Sequence, residues 1–463
     1  MVGTSRRRFL KAGGLAALAF GATPLLQACG GGDARPVPAA GPPLAPPSTG
    51  GGDLAMRIWG AYPDFVTSEV AAFEKTYGAR VDLGVIAGDY PSLMTNLLRQ
   101  GTPLDMVYSL WHMPQAYAEA NWIHDFERFW AKDAAAEEML PAVRDALTIN
   151  GKLVGLPYFA FVNGALFANT DVLRKADLEG QYPKTYEELY AQVRLIKRRG
   201  ASDTPYLPSF WSAPWFGIPF GFIQEALNRN IPLFGPGGRP LFDEQSEVVD
   251  MLGQWRSLYR EGLVPPGVLT FQESDWTEAF AKGGIAYSPQ LQYDIKTFSD
   301  PQTSQVAGKI VPVPQQGQKW GMLHVGAYLI GNHGQDDATL AQAYGLAQHF
   351  GYRDQRTGRF DVPDAWAGNY YLTQGYSAVN NSPALAESVA RWLPDPETNW
   401  PVLKDYLTDP QVATDLFHTT WGSVWMTYAS RELPKAVNGD ESPGAVVKKL
   451  RKKAESLIDE YGN

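Results

Sequence analysis

Residue types able to do covalent chemistry are sparse in this chain, and their spacing argues against most of it. There is no GxSxG turn to hold a serine as a nucleophile and no HExxH to set two imidazoles on one helix face. The six histidines are scattered without metal-ligand spacing. Cys29 is the only cysteine, so a disulfide, a thiolate metal cluster and a catalytic thiol in the rest of the chain are excluded together. No two carboxylates announce themselves as the pair, about 5–10 Å apart, that glycoside cleavage needs. The expectation is a protein with no catalytic residue, no metal and no cofactor. What the chain offers instead is flat apolar surface, in 14 tryptophans, 22 tyrosines and 21 phenylalanines.

Rings act together only where the backbone gathers them, so the elements that carry them come next. Residues 54–59 read as a strand, and Val66, Val70, Phe73 and Tyr77 then fall at helical spacing with Gly78 as the stop. Residues 81–86 read as the next strand. Leu93, Leu97 and Leu98 mark a second helix ending at Gly101, and residues 104–108, with Asp105, form a third strand. This alternation is that of βαβ units in an open α/β lobe with a parallel sheet. Ligands of such sheets bind outside the carboxyl ends of the strands, where Trp59 and Trp111 lie.

Further along, Thr185 and Glu188 have capping-box spacing ahead of Leu189, Val193 and Ile196. Ser246 opens a helix through Val248, Leu252, Trp255 and Tyr259 that closes at Gly262, Pro265 and Pro266. Trp255 lies on the apolar face of that helix and reads as core. Gly235, Pro236, Gly237 and Gly238 read as a turn, not a phosphate loop. The last helix sets Val446, Val447, Leu450, Ala454, Leu457 and Ile458 against a basic face of Lys448, Lys449, Arg451, Lys452 and Lys453, which reads as solvated.

The amino-terminal end reads as an address. Ser5, Arg6, Arg7, Arg8, Phe9, Leu10 and Lys11 resemble a twin-arginine export signal. The apolar run at 15–26, broken by Pro24, falls short of the roughly 18 residues that a bilayer span needs. Leu26, Gln27, Ala28 and Cys29 resemble a lipobox, with Gln27 where a small residue is usual. The reading is a signal peptide at 1–28, lipidation of Cys29, and a flexible tether at 29–52 that is too rich in glycine, proline and alanine to bury a core. Removing residues 1–28 takes away four basic side chains and no acidic one, which moves the net charge from −9 to −13. Such a surface repels phosphates and excludes nucleic acid as a partner. The remaining body of about 410 residues is more than one hydrophobic core supports, so two lobes are expected.

Four segments in order then resemble the extracellular solute-binding protein family 1, the maltose-binding-protein-like subunits of ABC importers. Phe73, Glu74, Lys75, Tyr77 and Gly78 are similar to its "FEK.YG" helix end. Gly151 to Tyr158, then Leu166, Phe167, Ala168 and Asn169, are similar to its "GK.YGLPY" turn and the hinge strand after it. Ala279, Phe280, Lys282, Gly283, Gly284, Ile285 and Ala286 resemble its "F..GKAAM" junction, with a glycine where many relatives have lysine or alanine. Val311, Pro312, Val313, Pro314, Gly317, His324, Val325 and Gly326 resemble its "P.P.G......GG" return crossover.

The resemblance implies an α/β, periplasmic-binding-protein type II-like fold, with two α/β lobes joined by a three-crossover hinge near residues 160–165, 308–313 and 376–382. Lobe 1 would comprise 53–162 with 312–378, and lobe 2 would comprise 163–311 with 379–463. It further implies a lipid-anchored, extracytoplasmic, monomeric protein in the periplasm or at the cell surface. Such a protein closes on a sugar or oligosaccharide and hands it to the transmembrane permease of an ABC importer.

Positions matched to the family's motifs place the ligand among Trp59, Tyr62, Asp64, Trp111, Tyr158, Phe159 and Asn163 on one wall. Trp211, Trp215, Gln290, Tyr293, Trp421 and Trp425 face them from the other, with His324 at a crossover. Rings suit the apolar C–H faces of a sugar, and the polar groups of Asp64, Asn163, Gln290 and His324 suit its hydroxyl rim. Polyamine, thiamine or ferric ion on the same fold, and a secreted glycoside hydrolase, are the alternatives.

Overall fold

The computed structural model describes residues 41–47, 52–213 and 216–462. The signal peptide at 1–28, Cys29, most of the tether and Trp215 lie outside the described residues. One stretch inside the expected tether, residues 41–47, lies against the body. There Leu44 N donates to Arg128 O at 2.9 Å and Arg128 Nε donates to Pro42 O at 3.2 Å.

The opening strand β1, Asp53–Trp59, buries Leu54, Met56 and Ile58 on alternate positions. A helix, Pro63–Tyr77, follows, and its buried residues are Val66, Val70, Phe73 and Tyr77, the set its 3.6-residue period selects. Gly78 ends it in the left-handed region at φ 70° with its N–H on Glu74 O, a conformation that glycine adopts without penalty. Glu74 Oε1 in turn accepts from Val81 N, fixing the helix end to strand β2, Arg80–Ile86. Strand β3, Met106–Leu110, comes after a helix at Tyr90–Arg99. Both β2 and β3 pair parallel with β1, as the alternating pattern requires.

The long strand β4, Gly155–Asn169, is buried along its full length. Strands β5, Tyr287–Leu291, β6, Ile310–Pro312, and β7, Met322–Ile330, complete a seven-stranded mixed sheet in the order β6-β4-β7-β3-β1-β2, with β5 also on β4. Residues 155–163 of β4 pair antiparallel with β7, and residues 163–169 pair with β5 and then β6. The change of neighbour falls at Asn163 and Gly164, with a register shift between Asn163 and Ala165. Gly164 has φ 79°, and a Cβ there would lie 1.9 Å from Gln224 Oε1, so only glycine fits this point of the strand. A second segment braces the same stretch: Ala160 N donates to Thr373 O at 2.9 Å and Thr373 Oγ1 donates to Ala160 O at 2.7 Å.

Thr185 caps helix Tyr186–Arg198 by accepting from Glu188 N, but Glu188 turns its carboxylate to Lys184 N, so the cap is not reciprocal. Helix Glu247–Arg260 buries Val248, Leu252 and Trp255. Pro236 to Gly238 form the turn between two short antiparallel strands, Phe234–Gly235 and Arg239–Pro240. The final helix, Pro443–Tyr461, buries Val446, Val447, Leu450, Ala454 and Leu457. Three residues of its basic face are paired: Lys448 with Glu244, Lys449 with Glu441 and Glu432, and Arg451 with Glu455. Among the described residues no helix is long and apolar enough to cross a membrane, and no three His, Cys, Asp or Glu side chains converge on a metal-sized site.

Candidate functional site

A cavity of about 360 Å³ opens at the carboxyl ends of β1 and β3, where the parallel part of the sheet leaves loops free to converge. Trp59 and Leu110 reach it from those strand ends, and Ala61 and Tyr62 from the loop after β1. Tyr158, Phe159 and Phe161 line it from β4, and His324 from β7. Alternation along a strand would send Tyr158 and Phe159 to opposite faces. The register shift opposite Gly326 and Ala327 skips Tyr158, and this bulge turns both rings into the cavity. Phe216, Glu273, Leu291, Tyr293 and Leu372 complete the lining.

The rings form one contiguous set. Trp59 lies 5.5 Å from Tyr158 and 6.4 Å from Phe159, and Phe159 lies 4.9 Å from Phe161. Phe161 meets Tyr293 edge-on at 5.0 Å. Tyr62 occupies the N-cap position of helix Pro63–Tyr77 at φ 52°, a region that side-chain-bearing residues seldom enter. That conformation turns its ring onto Tyr370 at 4.1 Å and leaves it 40% exposed, open to whatever enters the cavity.

Two kinds of polar group face this apolar surface. His324 sits among Phe159, Phe161, Phe216 and Phe220, with centroids between 5.2 and 5.7 Å away. Burial, with a smaller push from His112, lowers its pKa to about 3, so the imidazole is neutral, and its Nδ1 has no hydrogen-bond partner. Glu273, the first residue of helix Glu273–Ala281, is solvent-accessible yet flanked closely enough by protein that desolvation raises its carboxyl above the usual range. Asp294, next to Tyr293, is 5% exposed. Burial first and the charge of Glu273 second push its carboxyl well up.

Of the residues expected at the ligand, the structure brings together Trp59, Tyr62, Tyr158, Phe159, Tyr293 and His324. Asp64 lies exposed in the first turn of its helix. Trp111 is fully buried, edge-on to Phe417 at 4.6 Å. Asn163 is buried at the change of strand partner, and Gln290 is buried with its Nε2 on Ser288 Oγ. Trp211 packs behind the wall against Phe216 and Trp276. Trp421 lies under the turn at Gly238, where a Cβ would meet its ring at 2.5 Å, and Trp425 donates from Nε1 to Leu450 O between helices.

Phe161, Phe216 and Glu273 were not anticipated. Strand alternation from Phe159 points to Phe161, and Phe216 adjoins Trp215. Glu273 carries no sequence signal beyond that of an acidic residue in a first helical turn.

A ring-lined cavity at the strand ends of a mixed sheet, with one long strand shared between two sets of neighbours, defines a small-molecule-binding protein of the periplasmic-binding-protein type II-like fold. Residues 69–353 match the bacterial extracellular solute-binding protein family, and the chain belongs to that family. Solved structures agree with the fold. The maltose-bound MalE3 of T. maritima has a TM-score of 0.70 at 17% identity, covering 88% of this chain and 100% of that one. The ABC transporter solute-binding protein of Agrobacterium radiobacter K84, in complex with ribitol, has a TM-score of 0.71 at 18% identity, covering 89% and 100%. The GacH receptor of Streptomyces glaucescens, solved unliganded and with acarbose, has a TM-score of 0.70 at 15% identity, covering 89% and 99%.

Proposed function

We propose that this protein is the binding subunit of a bacterial ABC importer, capturing a sugar or short oligosaccharide in the ring-lined cavity and delivering it unchanged to a membrane permease. The observation that carries this reading is the lining itself. Trp59, Tyr62, Tyr158, Phe159 and Tyr293 offer planes to the C–H faces of a sugar, and His324 Nδ1 offers a buried acceptor to a hydroxyl. The relatives solved with maltose, ribitol and acarbose support it. A volume of about 360 Å³ lies near the small end of the range for ligand pockets, which favours a short ligand.

In this reading residues 53–162 with 312–378 form one lobe and 163–311 with 379–463 the other, and both contribute to the lining. The lobes turn about the stretch where β4 changes partners and Thr373 braces Ala160. Export would remove residues 1–28, and a lipid on Cys29 would hold the monomer at the membrane within reach of its permease.

A thermal-shift screen of the protein against a carbohydrate and polyol library tests the proposal. A ligand at 100 times its Kd adds about 2.7 kcal/mol of stability. Absence of a shift with every sugar and polyol, or a cleaved product in the mixture, would overturn it.

A further inference from the structure

The cavity holds an acidic group that a neutral sugar does not answer. Among the described residues the only carboxyl side chain in its lining is Glu273, and no lysine or arginine lines it. Asp294 stands beside Tyr293, and its Oδ2 is buried without a hydrogen-bond partner. The lysine two residues on does not neutralise it: Lys296 Nζ donates to Asn369 O at 2.7 Å and lies over the rings of Tyr370 and Trp392, at 5.3 and 5.7 Å. His324 adds no positive charge, because its imidazole is neutral in its cage of phenylalanines.

A carboxylate set among apolar rings, with no lysine or arginine in the same lining, favours a cationic partner. Electron-rich ring faces attract the same kind of group, and aromatic cages of this composition hold ammonium ions elsewhere in proteins. Trp59, Tyr62, Tyr158 and Tyr293 supply those faces in the same lining as Glu273, and Asp294 follows Tyr293 in the chain. We propose that the ligand is a saccharide bearing a protonated amine, its ammonium held against Glu273, with Asp294 behind, inside the ring set, and a hydroxyl taken by His324 Nδ1. This rests on the sugar reading above and narrows it to a cationic class.

The test is calorimetric titration of the full chain with glucose, glucosamine and N-acetylglucosamine and with their β-1,4-linked dimers, at a pH where the free amine is protonated. The amino form is expected to bind about tenfold more tightly than the neutral and acetylated forms, the size of one charge-assisted contact. In Glu273→Gln, and in the isosteric Asp294→Asn, the ratio of amino-form to neutral-form affinity is expected to fall below about twofold. Equal binding of amino and neutral forms, or a preference that survives both substitutions, would overturn this inference and leave the sugar reading standing. Failure of all six sugars beside binding of spermidine would overturn both.

Discussion

The ring of Phe159 lies over the α-carbon of Gly326, so closely that a Cβ at Gly326 would come within 2.6 Å of Cε1. Gly326 pairs with Phe159 across β7 and β4, beside the bulge that frees Tyr158. The missing side chain is therefore what seats one wall of the cavity. Gly326→Ala is expected to push the ring into the cavity, to cost about 1–3 kcal/mol by overpacking, and to weaken ligand binding about tenfold. Adding Phe159→Leu should restore stability in urea denaturation without restoring affinity. If Gly326→Ala binds as well as the parent, the ring does not form the wall assigned to it.

Trp59 and Trp425 should separate binding from packing. Trp59 is half-buried at the cavity, whereas Trp425 is fully buried, edge-on to Phe234 at 5.0 Å and bonded to Leu450 O at 3.0 Å. Trp425→Ala is expected to lose about 3–5 kcal/mol of stability, read by chemical denaturation. Trp59→Ala should lose less stability and more affinity, about 2 kcal/mol or more of binding, because a ring at a site centre carries a large share of it.

The same contrast marks what the chain reveals before it folds. Val66, Val70, Phe73 and Tyr77 announce their helix because only one face of a 3.6-residue period is apolar, and burial follows that face. The parallel order of β1, β2 and β3 follows from connections too long for hairpins. A tryptophan at a strand end is different, because the same residue type serves a core or a cleft. Trp59 turns to the cavity and Trp111 turns to Phe417, and only the packing of the distant helix that carries Phe417 separates them. Tyr158 depends on a bulge set by β7, and Glu273 on where a helix far along the chain begins.

A buried ion pair anchors the helices behind the cavity. Arg229 reaches Glu225 Oε1 at 2.8 Å and Glu187 Oε1 at 2.5 Å, and it lies 4.7 Å over the Tyr186 ring. Glu225, 4% exposed, also accepts from Tyr190 OH at 2.9 Å and from Trp255 Nε1 at 2.6 Å. Burial raises the Glu225 carboxyl even though Arg229 and these donors pull it down, so the charge depends on its partners. Arg229→Ala is expected to cost about 3–5 kcal/mol, since it strands a buried carboxylate. Adding Glu225→Gln should recover part of that loss, and a double-mutant cycle in urea measures the coupling.

His349 should make stability depend on pH in a predictable sense. Burial alone would lower its pKa, but the carboxylates of Asp354 and Glu69, 3.7 and 3.6 Å from its ring nitrogens, outweigh burial and raise it. Asp354 is held far below the usual carboxylate range, first by His349 and then by the N–H groups of Thr357 and Arg356. A histidine whose folded pKa exceeds the unfolded value near 6.5 stabilises the fold fully below that value. The contribution fades as pH rises through the folded value. Asp354 has the opposite sign: its contribution is present above the unfolded value near 3.9 and is lost as pH falls through the folded one. His349→Gln is therefore expected to destabilise the protein most near pH 5.5 and least near pH 9, read as the difference in urea midpoint from the parent. A difference that is flat across that range, or larger at alkaline pH, would mean that His349 is neutral between its two carboxylates.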